Sequence, residues 1–202
     1  MKDGDDVKDG LERERRRHEH LGGRRDASTT VRASVERLLK TLQDELADLA
    51  RAIAEQVQRH ARLLANKQRL LTVPAVGPRV VLPLLMAGER YYALAAEQGT
   101  AKGVVADVGL DPQPHESGAS VWQRARISPQ GDRRVRARLD MGALGALRGV
   151  NPLRAFYQRL VARGKPKRLA LVAAARQVLA WAWAVFISGE PFAATKTVKA
   201  VA

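Results

Sequence analysis

Apolar residues recur along this chain in patterns that change at a few well-marked breaks. Val35, Leu39, Leu42, Leu46, Leu49 and Ile53 follow one another in alternating steps of four and three, the heptad spacing of a helix seam that packs on another helix. Ser28, Thr29 and Thr30 offer N-cap hydroxyls at its start, while Gln56 and His60 weaken the seam before Leu63 and Leu64. The spacing predicts one long helix over residues 27–70, on the order of 60 Å and too long to stand alone in water. An intrachain helical bundle and a dimerising coiled coil both satisfy it. The clean heptads favour the coiled coil, and with it a homo-oligomer formed through residues 31–64.

Val73-Pro74-Ala75-Val76-Gly77-Pro78 interrupts the helix before the apolar run Val80 to Met86, which predicts a helix-hairpin-helix-like joint. Gly99, Gly103, Gly109, Pro112 and Pro114 then mark loops around Val104 to Leu110, and helix resumes from Asp132 to Leu147. Asn151 caps a further helix, Pro152 suits its first position and Gly164 ends it. Arg168 to Ile187 forms the last helix, stopped by Gly189 and Pro191. Leu169 to Ile187 is long and apolar enough to cross a bilayer, but Arg176, Gln177 and many alanines favour a buried core helix and no membrane. The fold class is mainly α, a long coiled-coil-type helix followed by a compact helical domain over residues 71–202.

Charge divides the chain further. Residues 1–26 hold eight acids and eight bases with only three large aliphatic side chains, too few to offset the ordering of the backbone, so this charged segment is expected to be disordered. The formal net charge is +14, and the excess falls mostly after residue 70; a polyanion is the implied partner. There is no cysteine, and the four histidines are scattered, so thiolate chemistry is excluded and no metal site is expected in this chain. The mixed-charge start lacks a signal peptide's apolar core, which points to a cytoplasmic location.

Thirteen basic residues and two acids lie between Arg124 and Arg168. Arg124, Arg126, Arg133, Arg134, Arg136 and Arg138 are the candidate phosphate contacts, aided by a helix start whose dipole favours anions. The turn at Gly77 can present backbone amides to phosphate, although an ordinary helix break explains it equally well. Just before the arginines, Ser117 precedes Gly118. A serine hydroxyl is a weak nucleophile that needs a base or strong positive surroundings, and Ser-Gly pairs are also routine turn formers.

The order of segments is more specific. Leu70-Leu71-Thr72-Val73-Pro74-Ala75-Val76-Gly77-Pro78, Gly109-Leu110-Asp111-Pro112, Glu116-Ser117-Gly118-Ala119-Ser120, and Ile127-Ser128 with Gly131 and Arg134 resemble the C-terminal transposase domain of the insertion-sequence family numbered one hundred and ten. Leu153 to Tyr157, Arg163-Gly164-Lys165 and Gly189-Glu190-Pro191-Phe192 continue that order. The resemblance implies DNA transposition with Ser117 as nucleophile, held on DNA as a phosphoserine. It implies a guide RNA as second partner, and magnesium bound by four carboxylates of a separate N-terminal domain that these residues do not supply. Ala75, Trp122-Gln123, Pro129 and Asp140 depart from the family's usual residues. An inactive or regulatory dimerising fragment that only binds nucleic acid is the alternative.

Overall fold

A computed structural model of the chain describes residues 9–16, 19, 29–95, 98–117, 121–127 and 130–193. In chain order these hold α1 (residues 9–16), α2 (Thr29–Arg59), α3 (Ala61–Leu70), α4 (Pro78–Ala95), α5 (Ala101–Val108), β1 (Pro112–Ser117), β2 (Val121–Ile127), α6 (Arg133–Ala146), α7 (Pro152–Ala162) and α8 (Lys167–Ser188). The fold is mainly α, as the periodicity predicts, with one addition: β1 and β2 pair antiparallel as a hairpin. The chain divides into two units, Met1–Ala61 and Arg62–Ala202.

In the first unit, α2 runs for 31 residues, about 46 Å. Val35 on its seam is buried, Leu39, Leu42, Leu46 and Leu49 are half-buried, and Ile53 is 45% exposed. Part of this seam is met within the chain, because α1 brings Gly10 against Leu42. Residues 9–16, inside the segment expected to be disordered, are therefore helical; Arg13 Nε donates to the Asp9 carbonyl and Arg16 reaches Glu12. The single helix expected over 27–70 is instead broken at His60, where polar residues occupy the seam. α3 belongs with the second unit.

The second unit is organised around α8, which packs against α4, α5, α6 and α7. Ala170, Ala174, Ala175 and Val178 are fully buried, and Leu179, Trp181 and Ala182 nearly so. Small side chains let neighbouring helices approach closely, while Trp183 stacks on Phe186 at 5.6 Å and meets the edge of Tyr91 at 5.0 Å. A helix that is apolar nearly all round must be covered on all sides. The segment long and apolar enough to cross a membrane is thus the core helix of this domain.

α3 and α4 form the two arms of the predicted joint. Between them Asn66, buried at 5% exposure, donates to Glu89 and accepts from Arg69, and Arg62 Nη2 lies 2.6 Å from Glu89. The turn buries Val73 and Val76 and places Ala75 at φ 76°, a left-handed conformation that costs an L-residue about 1–2 kcal/mol. A Cβ on Gly142 of α6 would fall 2.5 Å from the Ala75 carbonyl oxygen, so α6 seats directly on this strained turn. From the other side, the Phe192 amide donates to Thr72 Oγ1 at 2.7 Å and its ring lies 5.2 Å from Trp181. Replacing Ala75→Gly should relieve the turn and raise the stability of the chain by about 1 kcal/mol; a urea midpoint unchanged or lowered would show that the surrounding packing, not the residue, bears the cost.

Candidate nucleic-acid interface and serine hairpin

The β-hairpin springs from a narrow base. Gly109 (φ 75°) ends α5 and Gly131 (φ 90°) precedes α6. A Cβ on Gly109 would fall 1.8 Å from the Gln130 carbonyl oxygen, and one on Gly131 would fall 2.5 Å from that of Val108. Only glycine permits both the positive φ and this backbone crossing. Arg136 closes it: its Nη1 donates to the Val108 carbonyl at 3.0 Å and the Gln130 carbonyl at 2.8 Å. Leu110, buried at 1% exposure, pins the start of the hairpin to the core.

Above this base, Pro112 pairs with Ile127, Gln113 with Arg126, and His115 with Gln123. Pro114 therefore stands opposite two residues, Arg124 and Ala125, in an irregularity that suits a residue with no N–H to donate. Ser117 ends β1, paired with Val121 next to the hairpin tip. The tip itself, Gly118 to Ser120, lies outside the described residues, as do Ser128, Pro129 and the side chains of Ser117, Arg124 and Arg126.

α6 separates the other candidate arginines into two roles. Asp132 caps the helix, accepting from the amides of Arg134 at 2.8 Å and Val135 at 3.2 Å. Those amides are therefore satisfied within the chain and are not open to a phosphate, contrary to the expectation for this helix start. Arg133, Arg134 and Arg138 are exposed. Arg136 faces inward with Val135, Leu139 and Ala143 and is committed to the hairpin base, so it positions the hairpin rather than offering a free guanidinium. Gly77, at the start of α4, has open space where a side chain would lie, and its carbonyl accepts from Val80 and Val81.

One carboxylate is set into this positive surface. Asp140 is half-buried on α6, its Oδ1 buried without a hydrogen-bond partner. Desolvation lifts its carboxyl above the ordinary value, against the opposing pull of Arg168 and Arg136. Among the described residues no three acidic or histidine side chains converge on a point that could hold a metal; Asp107 is tied to Arg90 and Glu89 to Arg62. The described residues thus offer no cluster that could hold the magnesium which the resemblance assigns to a separate domain.

The class these features define is a helical domain that turns arginines outward and holds a serine-bearing hairpin at its base. The family model described as Transposase IS116/IS110/IS902 family matches residues 67–158, the span from α3 through the hairpin and α6 into α7. The chain is also similar to the pilin gene-inverting protein of Moraxella bovis, 26% identical over 183 residues that cover 90% of this chain and 54% of the relative. The protein of the same description from Moraxella lacunata shows the same identity and coverage. The chain spans about half the length of these curated relatives.

Two outcomes follow from the geometry. Removing the Arg136 fork with Arg136→Gln should leave two carbonyls short of a donor and lower stability by about 1–3 kcal/mol; an unchanged urea midpoint would show that the crossing at Gly109 and Gly131 holds without it. Asp140→Asn tests the trapped carboxylate. Because its folded pKa is raised, the folded chain binds that proton more tightly than the unfolded chain, and stability falls as pH rises from the usual carboxylate range through the raised value. Asp140→Asn should therefore melt higher than the parent at pH 7, the difference shrinking as pH is lowered toward 4; a difference independent of pH would sink this account.

Proposed function

We propose that this chain is the DNA-handling portion of a transposase that rearranges DNA through Ser117. The observation that carries the reading is the family match across residues 67–158, which takes in Ser117, the clamp that roots its hairpin, and the exposed arginines of α6. The relatives in Moraxella are named for inverting pilin genes, and an inversion is one form of the same strand exchange. Ser117 Oγ attacks a DNA phosphorus, a P–O bond to the sugar breaks, and the departing sugar oxygen leaves as a hydroxyl. The strand is then held as a phosphoserine ester. One phosphodiester replaces another, so a later attack by a sugar hydroxyl reseals DNA and frees the serine without an external energy source.

A serine needs help to lose its proton. The exposed arginines stabilise the charge on the phosphorane, while the acidic partner comes from residues beyond those described, on another chain by family resemblance. Ile53, exposed on the α2 seam, supports assembly of two copies, and a structured RNA is the second nucleic-acid partner by the same resemblance.

The test mixes the chain with a full-length family member, its RNA and end-labelled DNA, then looks for a covalent protein–DNA adduct. The adduct should form with the parent chain and disappear in Ser117→Ala. Independently, Kd for DNA should weaken steeply with salt, by about a hundred-fold or more between 50 and 200 mM if four or more phosphates are contacted. Salt-sensitive binding with no adduct from the parent chain would overturn the nucleophile and leave a nucleic-acid-binding fragment.

A further inference from the structure

The outward face of α6 is not uniformly basic. Its inward positions are Val135, Arg136, Leu139, Asp140, Gly142 and Ala143; the exposed ones are Arg133, Arg134, Ala137, Arg138, Met141, Leu144 and Gly145, and Arg148 is exposed in the turn that follows. None of the exposed ones is acidic. Met141 is at their centre, with Ala137 and Arg138 one turn before it, Leu144 and Gly145 one turn after it, and Arg134 and Arg148 seven residues to either side. Met141 is 66% exposed and Leu144 46%, and Val150, just past the helix, is 99% exposed. Arginines thus frame an apolar saddle.

The two glycines of this helix sharpen the point. Gly142 is required by the close approach of the Ala75 carbonyl, whereas a Cβ on Gly145 would meet nothing within 4 Å. Gly145, in the last turn of the helix, weakens it by a fraction of a kcal/mol relative to alanine, and among the described residues no packing requires it. It leaves the surface low beside Met141 and Leu144, where a flat group can come close.

We propose that this face, resting on the DNA-handling reading above, takes DNA whose bases are unpaired or unstacked, Met141 and Leu144 packing on exposed base surfaces while the flanking arginines hold phosphates. Contact with the backbone of a regular duplex would be served by cations alone, and a protein partner at a face with four arginines and no acid would have to bring its own carboxylates. Apolar side chains among arginines match a target that is anionic at its edges and apolar at its centre, as an unstacked strand is. From Arg134 to the end of α6 at Ala146 the face extends about 18 Å, enough for several phosphates of one strand, with Arg148 in the turn just beyond.

The experiment compares the 202-residue chain with Met141→Gln/Leu144→Gln, both exposed positions whose replacement should leave the melting temperature unchanged. Kd is measured for a duplex and for the same duplex with a central unpaired bubble, alongside the oligomeric state. The proposal expects the double variant to lose about ten-fold in affinity for the bubble and less than about two-fold for the paired duplex. Equal affinities of parent and variant for the bubble overturn the proposal while leaving the DNA-handling reading intact. A variant that dissociates into monomers with DNA affinity unchanged also overturns it, assigning the face to a second copy of the chain. Absence of salt-sensitive binding to either DNA by the parent chain overturns both.

Discussion

The second unit depends on the burial of the middle of α8, from Ala170 to Phe186. No side of that helix is suited to water along most of its length, so α4, α5, α6 and α7 are all bound to cover it, and where they do so determines where everything functional lies. Ala170, Ala174 and Ala175 have no exposed surface; a larger side chain at any of them would force a neighbouring helix outward. The helix held against α8 by this constraint is also the one that carries the exposed arginines. Its inner face is therefore fixed by packing, and its outer face is free to be specified by a ligand.

The same logic runs through the hairpin. A two-stranded ribbon has little stability of its own, and β1 and β2 carry no apolar alternation that would seat them on the core. What anchors them is their base: two glycines in positive φ, the buried side chain of Leu110, and a guanidinium shared between two carbonyls. Arg136 reaches that base from α6, so the serine-bearing hairpin and the basic helix are mechanically one piece. The outer arginines of α6 and the root of the hairpin are thus held by the same helix.

Much of this was legible in the chain wherever the signal is local. Asp132, Asn151 with Pro152, Gly164 and Gly189 mark the helix ends within a residue or two of where they fall, because capping is settled by one side chain and its neighbouring amides. The hairpin and α5 were hidden. Pro112 and Pro114 read as loop, the only alternation in the strands is the short Arg124-Ala125-Arg126-Ile127, and α5 is only eight residues long. The arginines were read as one field because composition has no faces; a helical wheel over 133–146, anchored on Val135, Leu139 and Ala143, separates Arg136 from Arg134 and Arg138. The break at His60 was foreshadowed by polar seam residues, whereas the helix at residues 9–16 depends on contact with Leu42 that no local pattern announces.

α6 resolves a further tension between stability and access. Its sequence holds two glycines three residues apart, a combination that weakens a helix unless something is gained at each position. On the inner side Gly142 gains the seat of the α3–α4 turn, which lets Ala75 be held at a positive φ by packing from α6 and from the buried Val73 and Val76. On the outer side there is no such gain within the chain. A helix weakened at Gly145 yet fixed at Gly142, Ala143 and Leu139 stays in place while its exposed surface remains low and open. Rigid support beneath an accessible apolar and cationic surface is the arrangement expected where a strand is to be held out of its stack rather than merely attracted.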